Sequence, residues 1–135
     1  YAMAHAALGH ALNFAGRPLE AVEPLLTAMR LDPYASDIWL HFLAESYFGL
    51  ERYEDAAATL RRRIFRRPDT DISRVLLAAC YGYLDRPSDA QTLWREALRI
   101  NPGYSLEQKR RVLPFKNPAD FDRIAAGLRR AGLPE

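Results

Sequence analysis

Apolar positions recur at three- and four-residue spacing in six consecutive blocks, each bounded by proline, glycine or a polar cluster. The pattern predicts helices near 2–15, 18–31, 37–50, 53–66, 71–84 and 87–100. Pro18 and Pro87 fall in a first helical turn, where the missing N–H has no intrahelical partner to lose. Pro24 falls inside the second block and predicts a kink or a shifted helix start. The fourth block ends in "RRRIFRRPDT", residues 61–70, and begins with Glu54 and Asp55. Acid at the start and base at the end complement the helix dipole, so this arginine run reads mainly as a helix end.

Three phrases return in register: "RLDPY" ending at Tyr34, "RRPDT" ending at Thr70 and "INPGY" ending at Tyr104. Their prolines, Pro33, Pro68 and Pro102, stand 35 and then 34 residues apart, with Ala21, Ala56 and Ala90 twelve residues before them. Further upstream lie the large-then-small pairs Leu8-Gly9, Leu43-Ala44 and Leu77-Ala78, followed by Leu12, Tyr47 and Tyr81. Leu25, Leu60 and Trp94 supply the large residue ahead of each proline. This order resembles the tetratricopeptide (TPR) repeat. His5 takes the place of a usual tryptophan, and Arg63 that of a usual alanine. The resemblance implies an all-α fold, a right-handed α-solenoid of three helix pairs over 2–102. The repeats fall near 2–35, 37–70 and 71–104, with a capping helical segment over 103–135.

In that last segment "SLEQKRRV" opens like a capped helix and the proline of "VLPF" ends it. A further helix is predicted with Asn117 as N-cap and Pro118 as its first residue. Phe121, Ile124, Ala125 and Leu128 form its apolar stripe, and Gly132 and Pro134 close it. A solenoid needs such a cap with a polar outer face. Leu113-Pro114-Phe115-Lys116, the Asn117-Pro118-Ala119-Asp120 that follows, and 127–134 together resemble the C-terminal region of bacterial class III adenylate/guanylate cyclases. In that family a catalytic domain precedes a TPR-containing tail. The resemblance implies a regulatory or oligomerisation tail in cAMP signalling, with the metal-binding aspartates of catalysis outside these residues.

Composition narrows the class. The chain has 135 residues, 49% of them apolar, and a net charge of +2, which suits one globular domain and gives little basis for polyanion binding. The single cysteine excludes an internal disulfide and fits a reducing, cytoplasmic compartment. No apolar run approaches the roughly 20 residues of a spanning helix. The absence of an initiator methionine before Tyr1 reads as a fragment of a longer protein.

The candidate chemistry is sparse. At 100° per residue the arginines of 61–67 do not share one stripe, whereas a nucleic-acid site would want basics and interleaved aromatics on one face, so no nucleic-acid partner is expected. His5 and His10 diverge on a helix; His10 and His41 reach comparable places on neighbouring helices, where packing or ligand hydrogen bonding outweighs a two-histidine metal site. Cys80 reads as a buried small hydrophobe. No phosphate-binding glycine loop or hydrolase motif is present, and neither enzyme activity nor a cofactor is expected.

The remaining candidate is the concave groove lined by the first helix of each pair. It would carry Met3, Ala6, His10 and Asn13, then Ile38, His41, Glu45 and Phe48, then Ile72, Val75, Ala79 and Tyr83. His10, Asn13, Ile38, His41, Glu45, Phe48, Val75 and Tyr83 are the expected partner-binding set. Only Asn13 suits a carboxylate clamp, so an apolar helix or peptide, the chain's own tail, or a second copy is the expected occupant. The alternative is an adaptor that takes an unrelated protein through this groove.

Overall fold

The computed structural model describes residues 1–34 and 36–133. Among these residues eight helices run in order: α1 (Ala2–Phe14), α2 (Pro18–Leu31), α3 (Ile38–Gly49), α4 (Tyr53–Arg66), α5 (Asp71–Tyr83), α6 (Pro87–Ile100), α7 (Leu106–Val112) and α8 (Pro118–Arg130). No strand occurs among the described residues. The expected boundaries hold to within one residue at each end. Pro18 and Pro87 open their helices, and the expectation for Pro24 needs correcting in part. It does not shift the start of α2, which runs from Pro18 through Pro24 to Leu31. The carbonyl that loses its donor belongs to Glu20, an exposed residue where water can replace the bond.

Helices pair as α1 with α2, α3 with α4, and α5 with α6. The small residues of the repeat lie where these pairs close. Ala21, Ala28, Ala56, Ala90 and Ala97 are fully buried. A methyl on Gly9 would stand 2.5 Å from Leu25 Cγ, so the large-then-small order is a packing requirement. Two cores result. One gathers Ala6, Leu25, Trp39 and Leu43 around α1–α3, and the other joins α3–α6 to the C-terminal segment.

The caps follow the sequence. Ser105 accepts from the Gln108 N–H at 3.1 Å, and Asn117 from the Ala119 N–H at 3.1 Å. The stripe of α8 is buried at Phe121, Ala125 and Leu128. Gly132 adopts φ +77°, the left-handed conformation that ends a helix, while Pro134 lies outside the described residues. The tail runs back across the first helices of the pairs. The Lys116 N–H donates to Phe14 O at 2.8 Å, Phe115 meets Phe14 edge-on at 4.9 Å, and α8 lies against α5.

Candidate functional site

The tail covers much of the concave face that the sequence marks as the groove. Arg123 of α8 reaches the end of α3, where its guanidinium donates to Phe48 O at 2.9 Å and Gly49 O at 3.2 Å. Both carbonyls lie at the negative end of α3, where a cation is a fitting partner; Phe48 O also accepts from the Glu51 N–H at 3.0 Å. The same group lies over the Phe48 ring at 5.2 Å and donates to Tyr53 Oη at 2.9 Å. The Tyr83 hydroxyl donates to Arg123 O at 2.6 Å, and Arg130 lies over the Tyr83 ring at 5.1 Å. Phe48 and Tyr83 therefore serve the chain's own tail.

What the tail leaves uncovered is a pocket of about 420 Å³ between α1, α3, α5 and the 104–124 segment. Its walls are mainly apolar, including Phe14, Phe42, Val75, Leu113, Phe115 and Ile124, with His10, His41 and Glu45 grouped at one side. His10 stacks on Phe42 at 3.8 Å between centroids. Its Nδ1 lies 3.9 Å from Glu45 Oε1, and neither of these shielded atoms has a hydrogen-bond partner. His41 Nε2 lies 3.9 Å from the other carboxyl oxygen, too far for a hydrogen bond.

A buried polar chain supports His41 from behind. Its Nδ1 is 2.9 Å from Ser73 Oγ, which accepts from Arg63 Nη1 at 2.9 Å. Arg63 also donates to Thr70 Oγ1 at 2.6 Å and Asp37 Oδ1 at 3.1 Å. With Arg63 donating to Ser73, the hydroxyl proton of Ser73 is available to His41 Nδ1. That arrangement places the imidazole proton on Nε2, toward Glu45. Burial, then the positive charge of Arg63, brings the His41 pKa down to about 3. Burial also lowers His10 and pushes the Glu45 carboxyl up to about 8. At neutral pH the three side chains present an uncharged polar wall.

The structure brings together only part of the expected set. His10, His41, Glu45 and Val75 meet at the pocket. Asn13 is engaged internally, donating to Phe42 O at 2.8 Å and accepting from Ser46 Oγ at 2.7 Å. Ile38 packs into the N-terminal core, as does the buried Ala6. Met3 is 74% exposed and Ala79 lies under Gly127. Cys80 is fully buried, with its thiol pushed up to about 12. Arg63 and Arg123 were missed as organising residues. Arg63 had a signal, a buried-face repeat position normally held by alanine, whereas Arg123 acts on a helix end more than 70 residues away.

A second surface is legible only by comparing the repeats. Leu8 is 51% exposed, while its counterparts Leu43 and Leu77 are 3% and 2% exposed. Ala4 and Ala11 are also exposed, whereas their counterparts Trp39, Ser73, Ser46 and Cys80 are buried. Leu43 and Leu77 are covered from the preceding pair, in cores that contain Leu25 and Leu60 respectively. Among the described residues nothing covers the same face of α1, and the helix contains no Asp, Glu, Lys or Arg.

The fold is similar to the crystal structure of MamA, with TM-score 0.73 over 97% of this chain and 76% of that one, at 19% identity. No protein-family model matches the chain. Over 44 residues, 33% of this chain, the sequence is 46% identical to "Putative adenylate cyclase 3" of Rhizobium meliloti (strain 1021); that match spans 8% of the relative's length. Among the described residues no helix is long and apolar enough to cross a membrane. The repeat register, the all-helical architecture and the likeness to MamA, a TPR-type protein, together define the fold as a TPR α-solenoid.

Proposed function

We propose that this chain is a non-catalytic protein-interaction and oligomerisation module whose outer α1 face takes another apolar helix, that of a second copy when the chain is on its own. The carrying observation is the bare repeat position: Leu8 is 51% exposed where Leu43 and Leu77 are 3% and 2% exposed. An apolar helix face that its own repeats cover elsewhere favours another helix as occupant. A two-fold contact sets identical patches against each other, and α1 contains no Asp, Glu, Lys or Arg to oppose that. Exposed Ala4, Ala7 and Ala11 allow a close helix approach. Sedimentation of Met3→Glu beside the native chain tests the surface; an unchanged mass distribution would count against it.

The parent is proposed to be a bacterial adenylate/guanylate cyclase acting in the cytoplasm in cAMP signalling, supported by the tail resemblance and the 44-residue match. A self-pairing tail would raise the effective concentration of two catalytic halves. A cyclase domain encoded in the same reading frame is the expected finding, and a frame without one would contradict it. Nucleic acid is not the proposed partner: Arg63 and Arg67 engage Asp37, and Arg61 donates to Tyr81 Oη at 2.7 Å. An adaptor role through the His10, Asn13, Ile38, His41, Glu45, Phe48, Val75 and Tyr83 groove would require the tail to leave, since Phe48 and Tyr83 hold Arg123.

A further inference from the structure

The pocket beside the tail has the properties of a ligand site, independently of how the chain associates. Its volume of about 420 Å³ lies in the range of small-molecule pockets. The walls contributed by α1, α3, α5 and α8 are mostly aromatic and aliphatic, which selects an apolar body. Against them stand His41 Nε2 and Glu45 Oε2, 3.9 Å apart and not hydrogen-bonded to each other, whereas His10 Nδ1 and Glu45 Oε1 are shut off from the pocket. Buried polar atoms are rarely left without a partner, because each carries the cost of its lost hydration.

We propose that this pocket binds a small uncharged alcohol, with its apolar body against Phe42, Val75 and Phe115 and its hydroxyl between His41 Nε2 and Glu45 Oε2. These two atoms are 3.9 Å apart, so one oxygen can lie within hydrogen-bond distance of both. A hydroxyl is both donor and acceptor and satisfies the pair whichever way their protons are arranged. A carboxylate head would meet no cation at this wall, because the pocket's lysine, Lys109, lies over the Tyr104 ring at 5.7 Å. An ammonium head would require a charged Glu45 in a site where burial favours the neutral acid.

Four probes with one body and different heads test the proposal: 2-phenylethanol, ethylbenzene, phenylacetate and 2-phenylethylammonium, each titrated at pH 7 into the full chain by NMR. The alcohol is expected to bind roughly five- to tenfold more tightly than each of the others, as one or two hydrogen bonds allow. Glu45→Leu should keep ethylbenzene binding and abolish the alcohol's preference, whereas Glu45→Gln should retain it. Equal binding of alcohol and hydrocarbon would overturn the assignment. So would tighter binding of either ion, no binding by any probe, or a preference that survives Glu45→Leu.

Discussion

Gly82 of α5 and Gly127 of α8 meet backbone to backbone: a methyl group on Gly82 would stand 1.8 Å from the Gly127 carbonyl oxygen. No side-chain rearrangement can relieve that contact, so α8 lies in the groove only because both positions lack a Cβ. A methyl on Gly127 would in turn approach Ala79 O at 2.6 Å. Gly82→Ala is expected to lower unfolding free energy by at least roughly 1–3 kcal/mol, as overpacked contacts do. Denaturant titration measures this loss. Limited proteolysis should then show earlier cleavage between 113 and 117, where the displaced tail crosses α1.

Arg63 holds three elements through Asp37, Thr70 and Ser73. Arg63→Ala leaves the largely buried Asp37 carboxylate with only the more distant Arg67, at 3.3 Å, and strips Ser73 of its donor. A loss of roughly 3–5 kcal/mol is expected, the usual effect of removing one partner of a buried pair. Arg63→Lys should recover only part, because an ammonium cannot reproduce the planar fork. Thermal unfolding of both variants checks the order.

Glu45 and His41 make stability depend on pH in opposite directions. The Glu45 carboxyl rises from 4.5 to about 8 on folding, so between those values the folded chain holds the extra proton and stability falls as pH rises. His41 falls from 6.5 to about 3, so in that window the unfolded chain holds the extra proton and stability falls as pH drops. Lowered His10 adds to the acid-side loss. From about pH 8 down to 6.5 Glu45 acts without His41, and the melting temperature should climb. Between 6.5 and 4.5 the two largely cancel, and below that stability should decline. Glu45→Gln is expected to remove the climb between pH 8 and 6.5 and to leave the acid-side decline; a wild-type pH profile in this variant would contradict the Glu45 contribution.

The repeat made the six main helices legible because proline, glycine and the three- to four-residue period act locally. Ser105 and Asn117 likewise announced their caps within three residues. The groove was legible only as a list of positions on one helical face. Which of them stayed open depended on Arg123 finding the Phe48 and Gly49 carbonyls, a relationship with no local signature. Glu45 also looked like one polar point among apolar neighbours, and its meeting with His10 and His41 required the packing of α1 on α3. The bare face of α1 was written in the repeat itself, since Leu8 keeps the residue type that Leu43 and Leu77 bury.

The most direct test of association through α1 is the solution mass of the chain by light scattering across a wide concentration range, beside Leu8→Glu. Leu8 is half exposed, so the substitution should leave the folded core in place, as its circular dichroism would show. The native chain is expected to pass from monomer to dimer as concentration rises, with Leu8→Glu monomeric throughout. A native chain that stays monomeric at the highest concentration, or a Leu8→Glu chain that still dimerises, would contradict pairing through this face.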